Sequence, residues 1–126
     1  MTQPNERDVD RFILDEIDSV PHLEALLLVW SSRPQSWSDE ELGKRLYLEN
    51  PAAMAILEDL QRRGLIAAVP GEPRQFRYES SERDPLLEAV ESAYRTDLVR
   101  ISTMIHRKAP ASVLEFARAF RFTKER

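Results

Sequence analysis

Ser38-Asp-Glu-Glu-Leu-Gly-Lys-Arg-Leu-Tyr-Leu-Glu-Asn-Pro-Ala-Ala-Met-Ala-Ile-Leu-Glu-Asp-Leu-Gln-Arg-Arg-Gly-Leu65 reads as two helices joined by a tight turn. Ser38 is a good N-cap, and Glu41, three residues on, completes a capping box. Leu42 and Leu46 then share one face. Residues 47–49 make the turn. Asn50 caps the second helix, and Pro51 takes its first position, where a missing N–H does no harm. Ala53, Ile56, Leu57 and Leu60 form an inward stripe at helical spacing. Gly64 ends the helix as a left-handed residue beyond the last turn does. Residues 65–69 and 75–79 then read as a hairpin, with Pro70, Gly71 and Pro73 fixing its turn. Along the second strand Phe76 and Tyr78 face inward, while Gln75 and Arg77 face out.

Outward from this stretch the chain stays helical. Residues 1–7 read as a disordered start. Residues 8–18 predict a short helix with Val9, Phe12, Ile13 and Ile17 on one side. It is too short to stand alone and must dock on the rest. Ser19 caps the next helix, residues 22–32, which is apolar around most of its circumference and so belongs at the centre of the core. Pro34 stops it, and Trp37 sits as an apolar staple just before the Ser38 cap. After the hairpin, Asp84 and Pro85 open a helix that the pattern carries to residue 108. Its seam is Leu87, Val90, Tyr94, Leu98, Ile101 and Ile105. Such a rod is ~36 Å long at ~1.5 Å per residue. Pro110 breaks it, and residues 111–120 predict a last short helix with Val113, Leu114, Phe116, Ala117 and Phe120, followed by Phe122.

Helix, turn, helix and hairpin in this order resemble a winged helix-turn-helix, as in small bacterial transcriptional regulators of the MarR and PadR kind. The residues that carry the resemblance are Leu42, Leu46, Ala53, Leu57, Leu60 and the run Leu60-Gln-Arg-Arg-Gly-Leu-Ile66. It covers residues 21–79. The fold it implies is mainly α: a winged helix-turn-helix core with a small β-hairpin wing, an N-terminal helix, and a long and a short C-terminal helix. Residues 8–82 would be the winged domain, and residues 83–126 a helical extension that serves for dimerisation. Winged helices also serve as protein-binding modules, so fold alone leaves the partner open.

Composition narrows the function by exclusion. A chain of 126 residues with 42% hydrophobic and 32% charged residues is that of one globular domain. It has no cysteine, which rules out disulfides and thiolate zinc sites. No motif of an activated serine is present, and none of the three glycines belongs to a phosphate-cradling loop. The carboxylates lie on outer helix faces without metal-ligand spacing, and His22 has no ligand partner near it in sequence. The reading is therefore not an enzyme, with no cofactor and no metal. The start is polar and the longest apolar run is too short for a bilayer, so the expectation is a cytoplasmic protein without a membrane contact.

Net charge is −4, unevenly spread: residues 1–94 carry 10 Lys/Arg against 19 Asp/Glu, and residues 95–126 carry 8 against 3. A basic end of this kind fits a polyanion contact or self-association, or is simply a solvated helix face. The resemblance implies that the second helix enters the major groove of DNA and the wing lies along a phosphate backbone. The second helix is poorly dressed for that. Its outward line is Pro51, Ala55, Glu58 and Arg62, with Asp59 beside it, and the acidic pair opposes phosphate. The candidate DNA contacts are therefore Lys44, Arg45, Arg74 and Arg77, helped by Asn50 and Gln75. The competing reading is that Arg74 and Arg77 merely pair with Glu72 and Glu79 on a solvated hairpin.

The primary expectation is a DNA-binding transcriptional regulator acting as a homodimer; the alternative is a winged-helix protein-interaction module that does not bind DNA. The expected dimer face is Leu87, Val90, Tyr94, Leu98, Ile101, Ile105, Phe116 and Phe120. Against it stands the reading in which this seam folds back on Phe12, Ile13 and Ile17 of the same chain.

Overall fold

The structure is a computed structural model, and it describes residues 3–108. Its elements are α1 (Glu6–Glu16), α2 (Val20–Ser31), α3 (Asp39–Leu46), α4 (Asn50–Arg62), β1 (Ala67–Val69), β2 (Gln75–Arg77), α5 (Asp84–Thr96) and α6 (Leu98–Lys108). This is the expected winged helix-turn-helix, mainly α with one hairpin. None of the described helices is long and apolar enough to cross a membrane.

α2 is the central helix, as its all-round apolar surface requires. Leu23, Ala25, Leu26, Leu27, Val29 and Trp30 are all buried, and α3, α4, α5 and α6 pack around it. Ser19 caps it by accepting from the His22 backbone N–H. β1 and β2 pair antiparallel, with Ala68 opposite Phe76. Trp37 adds a third, single-residue rung: its N–H donates to the Phe76 carbonyl at 2.8 Å, and the Phe76 N–H donates back at 2.9 Å. The loop before α3 is thereby sewn to the wing. Phe76 and Tyr78 are buried and Arg77 is exposed, as the alternation predicts.

Three boundaries differ from the sequence reading. α1 begins at Glu6, two residues before the expected start and inside the stretch expected to be disordered, because Asn5 and Asp8 form a reciprocal capping box. Asn50 does not cap α4; Glu49 holds the cap position without a side-chain bond, and Asn50 is already helical with Pro51 second. The expected rod over residues 85–108 is two helices. Asp97, at φ −139° and ψ 47°, breaks it. The Thr96 hydroxyl donates back to the Ser92 carbonyl, and Asp97 accepts from the Arg100 guanidinium at 2.7 Å. Both bonds favour a bend over a continued helix. The expected last helix, with Phe116 and Phe120, lies outside the described residues.

The break lets both halves of the seam turn inward. Leu87, Val90, Ile101 and Ile105 are at most 1% exposed and belong to the same hydrophobic core as Val9, Phe12, Ile13 and Ile17. These four were expected to face a second copy; burial within one chain corrects that, since α5 and α6 close over α1 and α2. Tyr94 is half-buried, its hydroxyl donating to Glu24 at 3.0 Å, and Leu98 is 50% exposed.

Candidate nucleic-acid interface

The α3–turn–α4 unit is built around two unusual backbone positions. Gly43 is buried in the middle of α3, and a Cβ there would lie 2.5 Å from the Leu48 carbonyl oxygen. Only glycine lets the turn close so tightly on the helix. The Leu48 N–H donates to the Gly43 carbonyl at 2.9 Å, which holds the turn down. Tyr47 then takes the left-handed conformation, φ 58° and ψ 45°. At the start of α3, Ser38 and Glu41 form the predicted capping box, with Ser38 buried. At the end of α4, the Gly64 N–H donates to the Gln61 carbonyl and the Leu65 N–H to that of Leu60, a Schellman closure with Gly64 at φ 73°.

α4 buries Ala53, Ile56, Leu57 and Leu60 and presents Asn50, Pro51, Ala52 and Ala55 to solvent, with Glu58 and Asp59 partly exposed. Its leading face is thus small and nearly uncharged, with Asn50 as one amide in the first turn.

The candidate cations are already engaged. Arg74 reaches from the wing to Glu58 on α4 at 2.8 Å, and its guanidinium lies 5.2 Å from the Phe76 ring. Arg77 pairs with Glu79 at 3.0 Å, and Lys44 with Glu40 at 3.3 Å. Arg77 thus makes the hairpin ion pair with Glu79, while Arg74 pairs with Glu58 rather than Glu72. Arg45 pairs with no carboxylate among the described residues and instead stacks over Trp37 at 5.6 Å. Gln75 is turned to structural use, its Oε1 accepting from the Ser36 hydroxyl at 2.6 Å. Since Trp37 and Phe76 are bridge partners, Arg45 and Arg74 each sit over one member of a single aromatic pair. That pair joins the α3 side of the motif to the wing.

One convergence had no signal in the sequence. His22, at the start of α2, meets Asp59 of α4: Nε2 and Oδ2 are 2.8 Å apart, and the Ser19 hydroxyl lies 2.6 Å from Nδ1. Asp18 joins them, so one ligand atom from each of Asp18, His22 and Asp59 falls within 4.8 Å of the others. No metal-ligand spacing marks the trio in the sequence, because Asp59 is 37 residues from His22. The trio fits a cation poorly all the same. Arg63 holds Asp18 at 2.8 Å, Arg62 holds Asp59, and Ser19 occupies Nδ1. Its work is to tie α4 to the α1–α2 corner. Burial holds the His22 pKa below its usual value; Asp18 opposes this, while Arg63 and Lys108 reinforce it.

Beside α2 an open groove of about 530 Å³ is lined by Glu24, Leu27, Leu28, Tyr94, Arg95 and Leu98, among others. Burial and the Glu24 contact push the Tyr94 pKa up to about 12.

No family model and no curated protein matches the sequence. Solved structures do match the fold. A MarR family protein from Bacillus stearothermophilus aligns over 95% of this chain and 82% of its own, at a TM-score of 0.54 and 17% identity. The fold of this chain is therefore a winged helix-turn-helix, similar to that of the Bacillus protein. The M. tuberculosis transcriptional regulator MosR covers 94% of this chain and 83% of its own at TM-score 0.55 and 15% identity. MepR, a transcription regulator of the Staphylococcus aureus multidrug efflux pump MepA, covers 94% and 85% at 0.54 and 15%. The alignments cover more of this chain than the winged core alone.

Proposed function

We propose that this chain is a winged-helix regulator that holds duplex DNA mainly by its phosphate backbone. The observation that carries the reading is the placement of Arg45 and Arg74 over the Trp37–Phe76 pair, on the two elements, α3 and wing, that flank α4. In this class of fold the first motif helix crosses the backbone and the second enters the major groove. The small side chains Ala52 and Ala55 permit close approach, and Asn50 is the one polar group at the tip of α4 able to read a base edge. Lys44 and Arg77 add two further phosphate contacts. Their ion pairs with Glu40 and Glu79 are exposed, and such pairs hold by only ~0–1 kcal/mol, so phosphate can replace the carboxylates cheaply. Contacts of this type give affinity with little sequence choice. That transcription regulators share the fold supports the regulatory part of the reading.

The test is a fluorescence titration with random-sequence duplex at low and at physiological salt. Binding should be weak and salt-dependent. The double change Arg74→Ala with Arg77→Ala should lower the slope of log K against log salt by roughly 0.9 for each phosphate deprived of its arginine. Glu58→Gln should tighten binding, because it releases Arg74 and removes a carboxylate from the path of the phosphates. No binding at low salt would reject the reading. It would favour the second one, a protein-interaction module, which the acidic Glu58 and Asp59 on α4 speak for.

The regulator is proposed to act as a homodimer. Among the described residues, exposed Leu98 and Val99 at the start of α6 and Leu14 on α1 offer apolar surface for it. Light scattering at tens of micromolar that gives a monomer mass would reject this.

A further inference from the structure

Tyr47 is the one non-glycine residue at positive φ among the described residues, and its ring is 94% exposed. The two facts together are unexpected. The left-handed conformation suits glycine or asparagine and strains a residue with a bulky side chain. A strained position is usually tolerated because the side chain is packed or bonded by its surroundings. Here the ring is not packed, and its hydroxyl bonds to nothing among the described residues. With the side chain this exposed, no packing contact accounts for a tyrosine at this turn.

Its place in the fold supplies the missing partner. Tyr47 stands between α3, whose C-terminal end carries Lys44 and Arg45, and the tip of α4 with Asn50. If α3 crosses a phosphate strand while α4 enters the groove, the residue between them stands where strand and groove meet. A tyrosine hydroxyl is one of the side-chain donors that contact phosphate oxygens. We infer that Tyr47 is a further DNA contact, its hydroxyl donating to a backbone phosphate from the helix-turn-helix corner. This rests on the DNA-binding reading above.

The contact has a signature that separates it from Lys44 and Arg45. A tyrosine hydroxyl is uncharged at neutral pH, so bonding to phosphate releases no counterion. Tyr47→Phe should therefore weaken duplex binding on the order of tenfold, as losing a hydrogen bond to a charged group does. The slope of log K against log salt should stay as in the unaltered protein, whereas Arg45→Ala should reduce it. Tyr47→Gly should weaken binding at least as much while raising the melting temperature, because glycine relieves the left-handed strain. Affinity and stability then move in opposite directions, which no structural role for the ring would produce. The experiment is the same fluorescence titration on the full chain at several salt concentrations, with thermal melts of each variant. Unchanged affinity in Tyr47→Phe, alongside salt-dependent binding of the unaltered protein, overturns the Tyr47 contact alone. A melting temperature that falls in step with affinity in Tyr47→Gly also overturns it, since the ring would then be supporting the fold. If the unaltered protein binds no duplex, both readings fall together.

Discussion

Folding makes His22 a poorer base than it is in the open chain, because the imidazolium would lose water on burial, and Arg63 and Lys108 oppose its charge while Asp18 favours it. The sign of the consequence is definite. Between the lowered folded pKa and the usual 6.5, the unfolded chain binds the proton more readily, so stability rises with pH there. It falls as the pH drops from neutrality below 6.5, and the groups facing the ring are Ser19, Asp18, Asp59, Arg63 and Lys108. Urea midpoints at about pH 7.5 and about pH 5.5 measure it: the drop should be smaller in His22→Gln than in the unaltered chain. Equal drops would show that the ring does not titrate in this range. Nothing in the order of residues signalled the contact with Asp59. A single histidine on a buried helix gains its partner only when α2 and α4 cross.

At the scale of elements, legibility follows how local the cause is. Ser19, the Ser38–Glu41 box and the Gly64 closure were readable because each is completed within a few residues. Asn50 and Pro51 both signal a helix start, and the one-residue slip between them could not be settled from sequence, since Pro is tolerated anywhere in the first turn. The break at Asp97 was hidden for another reason: the apolar spacing continues across it, so the pattern of one rod and of two angled helices is the same. The slip at α4 has a stability consequence. With Glu49 at the cap and no side-chain bond there, backbone N–H groups at the tip of α4 lack a partner that serine would provide. Glu49→Ser should stabilise the protein by about 0.5–1 kcal/mol, read as a higher urea midpoint with unchanged slope. No gain would mean that the glutamate's favourable charge at the helix start already offsets the missing bond.

For the whole molecule, the winged part and the C-terminal helices share one core, in which Leu87, Val90, Ile101 and Ile105 touch the same cluster as Leu26 and Ile13. A helical seam looks alike in sequence whether it meets its own chain or a copy, and so spacing alone does not tell these four buried residues from an interface. Ile101→Ala should cost about 2–5 kcal/mol, as a cavity in a closed core does. The cost should not depend on protein concentration, whereas an interface residue's effect on the melting temperature would. Scanning calorimetry over a hundredfold range of concentration decides between them. The contact between Gly43 and the Leu48 carbonyl has a last, mechanical consequence. With no side chain between helix and turn there is no slack at that joint, and Trp37 and Ser36 fasten the wing to the same unit. α3, its corner and the wing are thereby fastened into one piece. A signal from elsewhere in the molecule would have to steer that piece as a whole, by a lever outside it, and could not work by folding it upon itself.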